Sequence, residues 1–269
     1  MISWTHYDQP VAHATLHFYR RATNRSKPPL VFCHGFSDNG LCFRRVAEAL
    51  APNYDVILVD TRNHGQSSSG EATADDLVED LAEFVEALGL APATFIGHSM
   101  GAGIVALLAS RYPKSVRRIV LEDPAWFDTP LKNSTHSSEK HLAAAQKHLK
   151  DLAALTEKQL MALGRQLHPD WSEIEFPDWL TAKQQVHIMA AGGLERANWR
   201  ELVPTITCPA LVLYGDKEAG ALLTPSIVEE ILNLAPQTIA AHVPGAGHNI
   251  RREQFDRYLA CLTQFLEHD

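Results

Sequence analysis

Short runs in which every residue is apolar alternate along this chain with longer stretches that show helical spacing. The apolar runs are rich in β-branched residues and lie at 30–33, 56–59, 119–121 and 211–214. Continuous apolar runs of this length are typical of strands buried on both faces of a parallel sheet. Their alternation with helices predicts an α/β fold, a mostly parallel twisted sheet with helices on both faces.

The stretch 73–88 shows the helical pattern best. It carries acidic residues on one side and apolar residues on the other, which is the stripe of a helix packed against a sheet. Thr73 can cap its start and Gly89 can end it.

The pattern changes after Asp123. Between 125 and 204 no convincing buried strand is present, and helical runs are predicted at 138–155, 157–167 and 179–191. A single crossover needs far fewer residues, so we expect a helical cap at 125–204, inserted into a core formed by 1–124 and 205–269. Ordinary packing of crossover helices is the alternative. The alternation then resumes and ends in a predicted helix at 251–266.

Composition is that of an ordinary globular protein, with 45% hydrophobic and 21% charged residues among 269. The net charge of −8 disfavours a nucleic-acid partner, and the adjacent Arg251 and Arg252 are a weak basic footprint. No apolar run is long enough to span a bilayer, and no secretory signal is visible, so we expect neither a membrane partner nor export.

The cysteines indicate a reducing, cytoplasmic location. Cys33, Cys42, Cys208 and Cys261 form no C-x-x-C pair, and they are too few for a disulfide scaffold in a chain of 269 residues. Zinc ligands normally come in closely spaced pairs, so we expect free thiols and no metal site.

The sharpest chemical signal is the pentapeptide GHSMG at 97–101, which fits G-x-S-x-G. It follows a short predicted strand at 94–96 and opens a helix. A serine at such a turn has a strained backbone and an exposed hydroxyl, and the flanking glycines leave room for the turn. Ser99 is therefore the predicted nucleophile, and the N–H of Met100, at the helix N-terminus, can stabilise an oxyanion.

Two further loops complete this chemistry. The turn HGF at 34–36 follows a buried strand and can supply the second oxyanion donor, the N–H of Phe36. The run GAGH at 245–248 follows a late strand and carries His248 among small residues. A serine needs a base that titrates near neutrality, so His248 is the predicted general base.

With these loops in order, the chain resembles the α/β-hydrolase superfamily over nearly its whole length. The segment DTRNHGQS at 60–67 is similar to the family's D-x-R-G-x-G-x-S loop, with Asn63 where glycine is usual. Asn tolerates positive φ better than most residues do, so this departure is expected to alter only the loop. The resemblance implies the α/β-hydrolase fold with a helical cap and the chain order nucleophile, acid, histidine.

The acid is left open by the sequence. In most relatives it follows the strand after the cap, three residues past a glycine, and Glu218 has that spacing from Gly215. Other relatives take it from the end of the preceding strand, where Asp123 aligns. The common spacing favours Glu218, with Asp123 next and Asp216 third. Whichever carboxylate serves must accept the second ring N–H of His248.

The resemblance implies a serine hydrolase that needs no cofactor. Its expected substrate is a small or medium carboxylic ester or lactone, cleaved through an acyl-enzyme. Phe36, Trp126 and Phe127 are candidate substrate-binding residues, with core packing as the alternative. Carbon–carbon bond hydrolases, cofactor-free perhydrolases and non-catalytic receptors on the same scaffold are alternative functions. The sequence does not indicate an oligomeric state.

Overall fold

The computed structural model describes residues 4–21, 26–128, 135–194 and 197–267, and of 135–139 only the backbone. Eight strands in these ranges form one sheet. In chain order they are β1 (Thr5–Val11), β2 (Ala14–Arg20), β3 (Pro29–Cys33), β4 (Asp55–Val59), β5 (Ala93–His98), β6 (Val116–Glu122), β7 (Ala210–Tyr214) and β8 (Thr238–His242).

The sheet is mostly parallel, as predicted. Across it the order is β1-β2-β4-β3-β5-β6-β7-β8, and only the pairings made by β2 are antiparallel. In the centre of the sheet Cys33 pairs with Gly97, and His98 pairs with Glu122. The loops that follow β3, β5 and β6 therefore leave the same edge of the sheet side by side.

The α-helices in the described ranges are listed here in chain order. They are α1 (Arg44–Leu50), α2 (Ala74–Ala87), α3 (Met100–Arg111), α4 (Thr135–Ala153), α5 (Glu157–Leu167), α6 (Phe176–Gln185), α7 (Trp199–Leu202), α8 (Pro225–Leu234), α9 (Ile250–Glu253) and α10 (Phe255–Glu267). The predicted ends of α2 are confirmed, because Thr73 forms a capping box with Asp76 and Gly89 follows with φ 62°.

Helices cover both faces of the sheet. One apolar cluster joins one face to α2, α3 and α8, and a second joins the other face to α1 and α10. The predicted final helix is divided, because α9 ends at Glu253 and α10 begins at Phe255.

The long connection between β6 and β7 is helical, and it forms the cap. Within its described residues no strand is present, and α5 and α6 share a small apolar cluster of their own with Leu152 and Trp171. The helix predicted at 179–191 is instead α6, from Phe176 to Gln185, followed by a 3₁₀ segment at Ile188–Leu194. No helix in the described residues is long and apolar enough to cross a membrane.

The two ends of the connection pack with the main core. Trp126 stacks on Trp199 with ring centroids 5.9 Å apart, and both belong to the larger apolar cluster of the sheet. Leu202 and Val203 join the same cluster. The cap boundaries at 125 and 204 stay a prediction. Packing places the last residues of the predicted cap with the core.

Candidate active site

Ser99 lies at a sharp turn between β5 and α3, with φ 52° and ψ −113°. Its N–H donates to the carbonyl oxygen of Glu122 at 3.0 Å. A Cβ atom on Gly97 would lie 2.5 Å from the carbonyl oxygen of Gly101, and one on Gly101 would lie 2.2 Å from that of Cys33. Both glycines are therefore required by close backbone approaches, as the G-x-S-x-G pattern predicts.

The HGF turn lies against the turn at 97–101 that carries Ser99, which we call the elbow. A Cβ atom on Gly35 would lie 2.7 Å from Nδ1 of His98 and 3.4 Å from Cβ of Ser99. Phe36 is half-buried and Met100 is buried at the first position of α3, where helix geometry leaves the N–H without an intrahelical acceptor. The two predicted oxyanion donors thus belong to the HGF turn and to the first residue of α3, which both adjoin the nucleophile turn.

His248 contacts a carboxylate through one of its ring nitrogens. Nδ1 of His248 lies 2.6 Å from Oδ2 of Asp123, whose side chain is fully buried. The N–H groups of Leu222 and Leu223 donate to the same carboxylate at 2.8 Å and 3.0 Å. These donors hold the carboxylate in one orientation, and its contact with the ring favours the tautomer of His248 that carries its proton on Nδ1.

The structure therefore brings Asp123, rather than Glu218, to His248. Glu218 is exposed in a 3₁₀ turn at Lys217–Ala219. Asp216 instead binds the start of the histidine loop, residues 242–248. Its contacts there are the N–H of Gly245 and the ring of His242, both at 2.7 Å. These hydrogen bonds lower the pKa of Asp216, so it is an anion that anchors the loop.

His98 ties the elbow to the histidine loop. Its Nε2 donates to the carbonyl oxygen of His248 at 2.9 Å, and the two imidazole rings lie 4.7 Å apart. Burial, reinforced by Arg251 and His248, lowers the pKa of His98 well below its ordinary value, so this ring is neutral at pH 7. These contacts bring His248 next to the residue that precedes Ser99.

The loop at 60–67 has a structural role. Asn63 has φ 70°, which accounts for asparagine as a substitute for glycine. Asp60 accepts from the N–H groups of Gly40 and Gln66, and burial raises its pKa to about 6. Arg62 forms a buried two-bond pair with Asp80.

The predicted pocket residues divide into two kinds. Phe36 is half-buried beside the elbow, whereas Trp126 is buried in the stack with Trp199. Phe127 is half-buried, and its carbonyl oxygen accepts from the indole N–H of Trp199 at 3.0 Å. Packing accounts for Trp126, and the pocket roles of all three residues stay predictions.

The cap touches the elbow directly. His187 donates its N–H to the carbonyl oxygen of Asn63 at 2.8 Å. At Gly193, in the 3₁₀ segment of the cap, a Cβ atom would lie 3.7 Å from Sδ of Met100. The 3₁₀ segment of the cap therefore lies beside Met100, the residue that follows the predicted nucleophile.

Sequence reasoning missed a buried ionic cluster between the cap and the loops. Arg251 and Arg252 are almost fully buried and each lies 3.0 Å from Oδ2 of Asp38, so they form no basic surface patch. Lys183 of the cap binds Oδ1 of the same carboxylate at 2.9 Å. No local motif marks these residues, because their partners are more than 140 positions apart in the chain.

Comparison with known proteins agrees with the fold and the motifs. A family model described as alpha/beta hydrolase fold matches residues 28–251. The chain is 24% identical to an N-formylmaleamate deformylase from Pseudomonas putida, over 89% of this chain and 88% of that one. It is 29% identical to a pimeloyl-[acyl-carrier protein] methyl ester esterase from Chromobacterium violaceum, over 87% of this chain and 93% of that one.

Solved structures give the same result at the level of the fold. E-2-(acetamidomethylene)succinate hydrolase superposes with a TM-score of 0.80 at 22% identity, covering 99% of this chain and all of that one. An enol-lactonase from Burkholderia xenovorans superposes with a TM-score of 0.76 at 20% identity, covering 97% of this chain and all of that one. At these identities the likeness shows the fold alone.

Proposed function

This chain belongs to the alpha/beta hydrolase family and is a hydrolase, and from that premise we propose that it cleaves a small or medium carboxylic ester or lactone through an acyl-enzyme on Ser99. The observation that carries the proposal is the 2.6 Å contact between Nδ1 of His248 and the buried Asp123, next to the strained serine turn. Such a contact orients an imidazole as a general base.

The proposed reaction begins with proton transfer from Ser99 to Nε2 of His248 as the hydroxyl oxygen attacks the carbonyl carbon. Asp123 stabilises the imidazolium that forms and is not itself protonated. The N–H groups of Phe36 and Met100 donate to the developing oxyanion. When the tetrahedral intermediate collapses, the bond to the alcohol breaks, and His248 returns its proton to the leaving oxygen.

Water completes the cycle. His248 takes a proton from the water, whose oxygen attacks the acyl carbon. When the second intermediate collapses, the bond from the acyl carbon to Oγ of Ser99 breaks, the carboxylic acid leaves, and His248 returns its proton to Oγ. The buried, neutral His98 supports this step by holding the carbonyl of His248, which keeps the histidine loop beside the elbow.

The named relatives support acyl chemistry. One is a deformylase and another is a methyl ester esterase, so their names describe removal of a formyl group and cleavage of a methyl ester. The cap is expected to select the substrate, because its 3₁₀ segment lies against Met100.

Hydrolysis of p-nitrophenyl acetate by the wild type and by Ser99→Ala tests the proposal. We expect steady release of p-nitrophenol by the wild type and a loss of at least about 10³-fold in kcat/KM for the variant. Undiminished hydrolysis by the variant would contradict the assignment of Ser99.

A substrate panel then separates the chemistries that share these residues. Esters, lactones, an N-formyl amide and a β-diketone are compared by kcat/KM. The proposal expects the ester or the lactone to be preferred. Preference for the diketone would assign the site to carbon–carbon bond hydrolysis.

A further inference from the structure

Ser37 has a backbone conformation that residues other than glycine rarely adopt. It directly follows Phe36, whose N–H is a proposed oxyanion donor, and its φ is 61°, in the left-handed region. A non-glycine residue keeps such a conformation only when its surroundings fix it. The position of the Phe36 N–H therefore depends on what holds the turn at Ser37.

A lysine of the cap holds this turn. Nζ of Lys183, on α6, donates to the carbonyl oxygen of Ser37, to its Oγ and to Oδ1 of Asp38, each at 2.9 Å. Three acceptors use all three protons of the ammonium group. The side chain is only 9% exposed, so water competes little for these bonds.

The neighbouring charges keep Asp38 an anion. Burial would raise the pKa of Asp38, but Arg252, Lys183 and Arg251 together hold it well below its ordinary value. Arg251 also binds Glu122, the residue before Asp123, at 3.2 Å. The contact of Lys183 is thus one part of a network that touches the oxyanion loop, residues 34–38, and Glu122, the neighbour of the acid in the chain.

We propose that Lys183 is a positioning residue through which the docked cap fixes the oxyanion loop, by way of Ser37. This inference rests on the proposed hydrolase and goes beyond it, because it gives the cap a part in stabilising the transition state as well as in choosing the substrate. A misplacement of about 1 Å in such a donor can reduce turnover by about 100-fold.

The variant Lys183→Met tests this role. It removes all three hydrogen bonds and keeps an unbranched apolar stem against Trp179, whose ring lies 5.3 Å from Nζ. Asp38 retains Arg251 and Arg252 as partners, so the carboxylate is not left unpaired. We expect kcat for p-nitrophenyl acetate to fall by about 10- to 100-fold, with KM within about threefold.

Arg44→Met is the matched control. Arg44 also joins α6 to the core, through two hydrogen bonds to Asp178 at 2.7 Å and 2.5 Å, and its contacts do not include Ser37. If Lys183 only docks the cap, both variants should change the kinetics equally. If it positions the oxyanion loop, only Lys183→Met should reduce kcat, although both lower the thermal midpoint.

Inhibition by phenylboronic acid separates positioning from general loosening. The boronate forms a tetrahedral adduct that mimics the transition state, so its Ki should rise in Lys183→Met by the same factor as kcat falls. Ser37→Ala, which removes one acceptor of the bridge, should show the same changes to a smaller extent. It serves as the readout should Lys183→Met fail to fold.

The outcomes are distinct. An active wild type, with kcat and Ki altered in Lys183→Met and unaltered in Arg44→Met, supports the inference. An active wild type whose two variants behave alike, or whose folded Lys183→Met matches it, overturns the inference and leaves the hydrolase intact. A wild type that neither hydrolyses the ester nor binds the boronate overturns both.

Discussion

Three residues around the site have backbone conformations in the left-handed region. Ser37, Ser99 and Asp123 have φ of 61°, 52° and 39°, and each lies in a loop at the carboxyl end of a strand. Such conformations are unfavourable for residues other than glycine, and the surroundings must fix them. Close glycine contacts fix Ser99, the N–H groups of Leu222 and Leu223 bind Asp123, and Lys183 binds Ser37.

Cys33 lies next to the oxyanion turn, and we predict that its thiol takes no part in the reaction. Burial raises the pKa of both Cys33 and Cys42 to about 12, so at pH 8 only about 10⁻⁴ of either is thiolate. Treatment of the native protein with iodoacetamide at pH 8, followed by intact mass and activity, should leave both unmodified and hydrolysis unchanged.

The denatured protein is the control for this measurement. All four cysteines should be alkylated once burial is lost, since all of them are free. Rapid modification of Cys33 in the native protein, with parallel loss of activity, would contradict the prediction and would indicate thiol chemistry at the site.

The sequence was sufficient to predict the turns that carry Ser99 and His248, because the signal of both turns is local. Ser99 and His248 stand in short glycine-rich patterns whose backbone demands are written in neighbouring residues. The sequence was not sufficient to identify the acid, because the carboxylate that reaches His248 depends on how the loops after β6 and β7 fold against each other. No local pattern marks Lys183, because its contacts are with residues about 145 positions away in the chain.

Helix α3 is the element on which the site is built. It begins at Met100, directly after the serine, and its first turn passes so close to β3 that Gly101 has no room for a side chain. Two positions later Gly103 has no atom within 4 Å of where a Cβ would lie. The same helix therefore contains one glycine that packing requires and one that it does not.

Alanine at these two glycines should have opposite effects. Gly101→Ala would bring a Cβ atom 2.2 Å from the carbonyl oxygen of Cys33, and we expect the free energy of unfolding to fall by about 2 kcal/mol or more. Gly103→Ala should raise it by up to about 1 kcal/mol, because alanine favours the helix. Urea unfolding followed by circular dichroism measures both changes.

Equal destabilisation by the two substitutions would contradict this account of α3. It would mean that the helix itself requires glycine at both positions, rather than the close approach of β3 to Gly101. Gly101→Ala should also reduce turnover, since the backbone movement that relieves the clash with Cys33 would displace the Met100 N–H.

The elements differ in how well the sequence predicts them. The central strands carry continuous apolar runs, because both of their faces are covered, and they were found within a few residues of their observed ends. Strand β1 was missed because it is an edge strand that is largely exposed and carries polar residues. Strand β2 was missed because the buried His17 and Arg20 interrupt its apolar pattern. The break between α9 and α10 gives no apolar signal, and it was missed as well.

For the molecule as a whole, the cap is joined to the core by ion pairs. Arg44 pairs with Asp178, and Lys183 pairs with Asp38, in each case between α6 and a loop or helix that follows β3. The length and helical pattern of 125–204 were enough to predict a cap. Its manner of docking was not predictable, because it depends on charges from distant parts of the chain that meet only in the folded protein.

The central claim is that Ser99 is activated by a histidine that Asp123 orients. The rate of labelling by a fluorophosphonate, followed by intact mass and mapped by peptide sequencing, tests it most directly. The wild type and Glu218→Gln should be labelled on Ser99 at equal rates, whereas Asp123→Asn should be slower by at least about 100-fold, because its imidazole loses the correct tautomer. Labelling of Asp123→Asn at the wild-type rate, or an adduct on any other residue, would contradict the account.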